Sequence, residues 1–162
     1  MKAATEVNTN AGKYLTFKLA NENFGISLTR VQEIIGMVLA IRVPRSPEHI
    51  RGVINLRGKI VPVIDLRARL GFPTKADTDL SCIIVLQAKR GNAPWTVGVV
   101  VDEVSDVLEL KSNQLEAPPD FGAAVATDAI LAMGKVDSRV ITLLCIEKVL
   151  ESGVPAGDVV QA

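Results

Sequence analysis

The chain contains one order of segments twice, and this repetition is the feature that most limits its possible folds. FGISLTRVQEII (24–35) aligns with VGVVVDEVSDVL (97–108), and RGKIVPVIDLRARL (57–70) aligns with DSRVITLLCIEKVL (137–150). Upstream, YLTFKL (14–19) aligns with CIIVLQ (82–87). Each copy has the order strand, glycine-containing strand, acidic turn, strand, strand and short helix. A shared order of this kind predicts an internal duplication into two small units.

The segments within each copy are mostly strands. In YLTFKL, Leu15, Phe17 and Leu19 alternate with polar residues, and this period of two is typical of a half-buried β-strand. Short helices are predicted at 66–70 and 145–152, each followed by a glycine. Units this small favour closed barrels, because closure removes exposed sheet edges. We therefore predict a mainly β fold of two small five-stranded barrels related by duplication, with short helices.

The polar stretch KADTDLS (75–81) follows the first short helix and is predicted to cross from one unit to the other. The predicted division is a disordered tail at 1–12, a first barrel at 13–74, a second barrel at 75–152 and a flexible tail at 153–162. The two tails are short and lack any apolar period.

Composition argues against nucleic-acid and membrane functions. Charges balance, with 18 Lys and Arg against 18 Asp and Glu, whereas nucleic-acid binders usually carry a basic excess. No apolar run approaches the roughly 18 residues of a membrane helix, and no secretory signal opens the chain. Cys82 and Cys145 lie in apolar runs typical of buried thiols. We expect a cytoplasmic protein that binds no nucleic acid and does not insert into the membrane.

Catalytic patterns are absent from the sequence. His49 is the single histidine, no Gly-x-Ser-x-Gly surrounds a serine, and neither CxxC nor a phosphate-binding glycine motif occurs. A solvated turn residue is the favoured interpretation of His49. The acidic cluster Asp102, Glu103 and Asp106 indicates either a solvated turn or a divalent-cation site, so a metal-dependent enzyme remains an alternative. We predict no enzymatic activity, no cofactor and no metal.

Five basic residues lie in and beside the apolar strands of the first unit. They suggest either a phosphate-binding patch or, as we favour, a solvated face or the charged rim of a protein interface: Arg51, Arg57, Lys59, Arg67 and Arg69.

Three motifs resemble the CheW family, the coupling proteins of bacterial chemotaxis arrays. They are RGVINLRGKIVPVIDLR (51–67), FGISLTRVQEII and VGVVVDEVSDVLEL (97–110), and the resemblance extends from Tyr14 to Leu150. It implies two five-stranded SH3-like barrels, in which the last segment of one half completes or braces the other. It also implies a non-enzymatic scaffold, located in the cytoplasm at receptor arrays, that holds a CheA-type histidine kinase against the tips of methyl-accepting chemotaxis receptors. A coupler for a chemosensory system that controls pili or surface growth is the alternative.

The resemblance also assigns roles to individual residues. It implies receptor contacts at Val31 and Arg57, with Glu33 in the same patch. Val104 and Val107 occupy the duplicated position and are expected to line the other wall of a groove between the barrels. It further implies kinase contacts near Cys82 and Gly98.

Overall fold

The computed structural model describes residues 10–118 and 129–151, and these residues form two β-sheets with short helices. Gly12, which we had assigned to the first tail, is the first residue of β1, whereas 1–9 and the whole second tail lie outside the described residues. The strands are β1 Gly12–Leu19, β2 Glu22–Ser27, β3 Val31–Gly36, β4 Ile50–Leu56, β5 Lys59–Asp65, β6 Cys82–Arg90, β7 Ala93–Val101, β8 Glu103–Leu110, β9 Leu115–Glu116, β10 Ile130–Val136 and β11 Arg139–Leu144. The helices are α1 Leu66–Arg69 and α2 Ile146–Glu151, and 3-10 turns occur at Leu28–Arg30 and Ser112–Gln114.

The order of strands shows that the two copies exchange parts. One sheet has the order β8-β1-β2-β11-β10-β9 and the other β3-β6-β7-β5-β4. Replacing each strand of the first sheet except β9 by its copy reproduces the order of the second, so the predicted duplication is confirmed. The six-stranded sheet takes β1 and β2 from the first copy and β8 to β11 from the second, whereas the five-stranded sheet takes β6 and β7 from the second copy and β3 to β5 from the first. The ranges 13–74 and 75–152 therefore do not correspond to the two sheets.

The strand registers repeat as well. In the parallel pair of β2 and β11, Gly25 lies beside Leu143, and in the parallel pair of β7 and β5, Gly98 lies beside Val63. The antiparallel pair of β4 and β5 shifts register after Ile50, and the pair of β10 and β11 shifts at the duplicated position. These matches show that the duplication preserves irregularities of the backbone as well as the apolar pattern.

Each sheet is closed by the chain segment that follows the third strand of a copy, which is β3 in the first copy and β8 in the second. After β3, the amide of Ile41 donates to the carbonyl of Val53 in β4, and the amide of Val53 donates back, each at 2.8 Å. After β8, the two-residue strand β9 pairs with β10 in the same way. Since closure covers the outer edge of β4 and of β10, neither strand offers a free ladder to a second molecule there.

The apolar core has three layers. A large central cluster joins the facing sides of the two sheets and includes α2, while one smaller cluster fills the interior of each barrel. Strand β6 is buried on both faces, because Ile84 and Leu86 point into the central cluster whereas Ile83 and Val85 point into the barrel. Burial on both faces explains why its segment IIVL is continuously apolar. The sharing of one cluster by both sheets makes the two barrels a single packed body.

Candidate functional site

Strand β3 lies at the edge of the five-stranded sheet and carries two of the predicted site residues. Its register on β6 shifts between Val31 and Glu33, so Gln32 is one extra residue, a β-bulge. Val31 before the bulge and Ile34 after it both pair with residues of the central cluster and therefore face the same side of the sheet. Val31 is half-buried against that cluster, whereas Ile34 is 44% exposed. An apolar ledge thus borders the central cluster.

Arg57 lies in the tight turn between β4 and β5 and reaches across to β3. Arg57 and Gly58 have φ angles of 52° and 84°, the left-handed pair that a two-residue hairpin favours. The side-chain oxygen of Asn55 accepts from the Gly58 amide at 2.8 Å. The Arg57 side chain is 66% exposed and forks onto Glu33, with Nη1 donating to Oε1 at 3.1 Å. This hydrogen bond lowers the pKa of the Glu33 carboxyl.

Strand β8 shows the same arrangement at the edge of the other sheet. Its register on β1 also contains one extra residue, and the hydroxyl of Thr16 accepts from the Asp106 amide there at 3.1 Å. Val104 is half-buried against the central cluster, and Val107 is 49% exposed. Arg139, at the start of β11, lies 3.9 Å from the Asp106 carboxylate.

The two edges therefore present matching surfaces. Each has a half-buried valine, an exposed aliphatic residue three positions later, an acid between them and an arginine from the facing hairpin. The first surface comprises Val31, Glu33, Ile34 and Arg57, and the second comprises Val104, Asp106, Val107 and Arg139. Our sequence reasoning missed Ile34 and Arg139 as site residues. The shared spacing of V-x-E-I (31–34) and V-x-D-V (104–107) is the signal that points to Ile34.

The two residues that we associated with kinase binding are placed differently. Cys82 is half-buried at the start of β6, and burial raises the pKa of its thiol. Gly98 is buried in β7 between β5 and β6, and an added Cβ would lie 2.8 Å from a methyl group of Ile83. Gly98 thus allows strands to pack closely and presents no side chain to a partner.

The acidic cluster does not assemble into a metal site. Both carboxylate oxygens of Asp102 accept from Nε of Arg67, at 2.9 and 3.0 Å, and one also accepts from the Ala20 amide. Burial acts to raise the pKa of Asp102, but the hydrogen bonds from Arg67 and from the Ala20 amide, together with the nearby positive charges, lower the pKa overall. Among residues 10–118 and 129–151, no three His, Cys, Asp or Glu side chains are placed to hold a metal ion. The carboxylate of Asp102 serves in an ion pair, and that of Asp106 accepts from the Thr16 hydroxyl at the bulge.

The basic residues of the first unit are also partly engaged. Arg51 donates to both oxygens of Asp77, at 2.8 and 3.0 Å, and to Asp65 at 3.2 Å. Since Asp77 belongs to the polar stretch that follows α1, this fork anchors that stretch to β4. Arg51 and Arg67 act as internal ion-pair partners, and this argues against a phosphate-binding patch.

His49 is half-buried and does not have the solvated environment that we expected. Its Nε2 atom is buried and has no hydrogen-bond partner among the described residues. Burial, followed by the nearby charge of Arg69, lowers the pKa of the imidazole. Folding therefore favours the neutral ring over the protonated one.

This environment predicts a dependence of stability on pH. In the unfolded chain the ring takes up its proton near pH 6.5, while the folded protein resists it until a lower pH, so the free energy of unfolding should fall as pH drops below about 6.5. We expect chemical denaturation to show a lower stability at about pH 5.5 than at about pH 7.5, and a smaller difference in the variant His49→Gln. An unchanged difference in the variant would assign the effect to other groups.

The fold and its two surfaces define this chain as a double β-barrel protein, in which exchanged strands build two SH3-like units around one shared core. A family model described as CheW-like domain matches residues 13–154. The chain belongs to the CheW family, as the sequence motifs predicted.

Individual CheW proteins are similar to this chain along most of their length. The chain is 39% identical over 140 residues to the chemotaxis protein CheW of Klebsiella aerogenes, covering 86% of this chain and 82% of that protein. It is 34% identical over 140 residues to the chemotaxis protein CheW of Bacillus subtilis, covering 86% of each. The crystal structure of the scaffolding protein TtCheW from Thermoanaerobacter tengcongensis matches with a TM-score of 0.77 and 31% identity, over 88% of this chain and 90% of that one.

In residues 10–118 and 129–151, no helix has the length and apolar character needed to cross a membrane.

Proposed function

We propose that this protein is a non-enzymatic scaffold that couples a CheA-type histidine kinase to chemoreceptors in chemotaxis signalling. The observation that carries this proposal is the similarity to CheW proteins across both barrels, including a relative named as a scaffolding protein. The matching surfaces on the two barrel edges support it, because exposed aliphatic residues beside charged groups are typical of protein-binding sites. The relatives reported above carry chemotaxis in their names, and this favours chemotaxis over the control of pili or surface growth.

The first surface is the proposed contact for the receptor. Ile34 offers an exposed apolar side chain beside half-buried Val31, and the Arg57–Glu33 pair gives that apolar ledge a charged rim. In the proposal, Val104 and Val107 on β8 form the other wall of the groove. Both walls border the central cluster, so a helix from a receptor tip would continue the apolar layer that joins the barrels.

The kinase is proposed to contact the region where β6 begins. Cys82 is half-buried there and pairs with Gly36, an exposed glycine at the end of β3. Gly98 would contribute indirectly by keeping β7 close to its neighbours. Binding to a kinase and receptors would place the protein in the cytoplasm at receptor arrays.

The test of the proposed function is reconstitution with purified components. Membranes that contain a chemoreceptor, a CheA-type kinase and this protein should give kinase activity that responds to attractant, and omission of this protein should abolish that response. Capture from native lysate should retain both partners. Kinase control that is the same with and without the protein would contradict the proposal. Stabilisation of the protein by a divalent cation would instead support the metal-dependent alternative.

Two substitutions on β3 separate docking from packing. Ile34→Asp should weaken receptor binding at least tenfold and lower the free energy of unfolding by less than about 1 kcal/mol, because Ile34 is exposed. Val31→Asp should also destabilise the fold, by about 1–3 kcal/mol, since its carboxylate would be placed against the central cluster. Pull-down and chemical denaturation measure the two effects.

Leu80→Asp is the matched control, since Leu80 is an exposed aliphatic residue in the stretch that connects the halves, outside the two edge strands β3 and β8. Its receptor binding should equal that of the wild type. Normal binding by Ile34→Asp would show that the first surface does not face the receptor.

A further inference from the structure

A threonine in the middle of β1 is fully buried although its side chain is polar. Thr16 has no exposed surface. Its neighbours Leu15 and Phe17 point into the central cluster, so the Thr16 side chain points to the opposite face, into the six-stranded barrel. A buried hydroxyl is costly unless it forms hydrogen bonds. Among the described residues, Thr16 finds its side-chain partners in Asp106 of β8.

The Thr16 hydroxyl bonds to both the backbone and the side chain of Asp106. It accepts from the Asp106 amide at 3.1 Å. Its own hydrogen is shared between the carbonyl oxygen of Asp106, at 2.9 Å, and the Asp106 carboxylate. Ser105 and Asp106 together lie opposite Thr16 in the bulge of β8. These bonds therefore hold the backbone at the point where regular pairing with β1 is interrupted.

The bulge decides which side chains of β8 face the central cluster. Side chains of a regular strand alternate between its two faces, so Val104 and Val107, three positions apart, would lie on opposite faces. With the bulge, both pair with β1 residues of the central cluster and lie on the same face. The same shift places Leu108 and Leu110 in the smaller cluster inside the barrel. A fixed bulge thus keeps the two valines of the second surface side by side.

The first copy has the same bulge in β3 without this hydroxyl. The strand registers equate Thr16 with Val85, which is equally buried but has no polar group in its side chain. The side-chain bonds that join the first bulge to neighbouring strands are exposed, and they run from Gln87 to Gln32 and from Arg57 to Glu33. Water and a partner can compete for exposed bonds, whereas the barrel encloses the Thr16 hydroxyl. The two bulges therefore differ in what holds them.

We propose that Thr16 is a positioning residue for the second surface, because its buried hydroxyl fixes the bulge of β8 and so presents Val104 and Val107 to a receptor. Association costs less when a surface already has its bound shape, since less conformational freedom is lost. Thr16 is fully buried and acts only through β8. Its effect on receptor binding rests on the proposed function, whereas its effect on the bulge can be measured on the protein alone.

Amide hydrogen exchange of the protein alone tests whether the hydroxyl holds the bulge. Thr16→Val removes the hydroxyl and keeps the shape of the side chain, while Thr16→Ser keeps the hydroxyl. The Asp106 amide should exchange at least about tenfold faster in Thr16→Val than in the wild type, and within about threefold of the wild-type rate in Thr16→Ser, because only valine removes its acceptor.

Thr96→Val is the matched control for the exchange measurement. Thr96 is also a buried threonine in a strand, but its hydroxyl accepts from Lys59 and Gln87 and has no bond to β8 among the described residues. The same change of side chain at Thr96 should leave the exchange of the Asp106 amide unchanged. Equal acceleration in Thr16→Val and Thr96→Val would assign the effect to a general loss of stability and would overturn the proposal.

Receptor affinity is then measured with the same Thr16 variants and the cytoplasmic domain of a chemoreceptor. Thr16→Val should bind at least roughly tenfold more weakly than the wild type, and Thr16→Ser should bind within about threefold of it. Packing alone would give the opposite order, because valine fills the space of threonine whereas serine lacks its methyl group. Faster Asp106 exchange with unchanged receptor affinity in Thr16→Val would show that the bulge positions no receptor contact.

The wild type provides a measurement that does not require any variant to fold. Its Asp106 amide should be protected from exchange, and exchange as fast as in an unstructured chain would overturn the proposal whatever the variants do. Failure of the wild type to bind the receptor would contradict the proposed function, and with it the receptor part of this role. The exchange rates would then still decide whether Thr16 holds the bulge.

Discussion

Replacing Gly52 by alanine should destabilise the protein by about 3 kcal/mol, through backbone strain and the loss of two hydrogen bonds. Gly52 has a φ of 136°, and a Cβ there would lie 2.1 Å from the carbonyl oxygen of Ile41. That carbonyl accepts from the Val53 amide in the contact that closes the five-stranded barrel. The new methyl group would have to push the closing segment away, exposing the outer edge of β4. Chemical denaturation measures the change.

Gly36→Ala provides the matched control for this substitution. Gly36 also lies in a strand of the same sheet, but a Cβ there would meet no atom within 4 Å. Its free energy of unfolding should change by less than about 0.5 kcal/mol, as is usual for exposed positions. Equal stability of the two alanine variants would show that contact between Ile41 and Val53 contributes nothing to closure.

Replacing Arg57 by alanine should abolish receptor-dependent control of the kinase while leaving the fold intact. The Arg57 side chain is 66% exposed, and exposed ion pairs contribute at most about 1 kcal/mol to stability. An arginine at the centre of an interface can contribute about 2 kcal/mol or more, so we expect receptor affinity to fall by roughly thirtyfold. Thermal denaturation, receptor pull-down and reconstituted kinase activity are the measurements, and kinase binding should remain unchanged.

Glu33→Gln separates the two ways in which Arg57 can act. The glutamine keeps the shape of Glu33 but loses the charge that holds the guanidinium. If Arg57 contacts the receptor itself, Glu33→Gln should retain most of the affinity that Arg57→Ala loses. Equal losses in both variants would show that the ion pair acts as a unit. Normal kinase control in Arg57→Ala would leave Arg57 as a solvated turn residue only.

The sequence by itself determined the local structure and the family. Period-two alternation in YLTFKL predicted β1, and the glycine after the first short helix predicted its end. The alignment of Val31 with Val104 predicted equivalent positions in the two copies, and each lies on a sheet edge beside a bulge. These features depend on neighbouring residues along the chain, so pattern and spacing suffice to predict them.

The sequence alignment of the first strands was wrong by one residue. We aligned Tyr14 with Cys82, but the strand pairings place Phe17 opposite Val104 and Leu86 opposite Val31, so that Lys13 corresponds to Cys82. The physical reason is that β6 is buried on both faces. A continuous apolar run has no alternation that could set its register.

Only the tertiary structure decided which strands form each sheet. A linear chain of two similar copies is equally compatible with each copy folding alone, and the apolar pattern is the same in both cases. The exchange became visible through long-range pairings such as Val63 with Gly98. The same holds for the site, since Arg57 meets Glu33 and Arg67 meets Asp102 only after the strands between them have paired. Contacts between residues distant along the chain are set by packing, which no local pattern records.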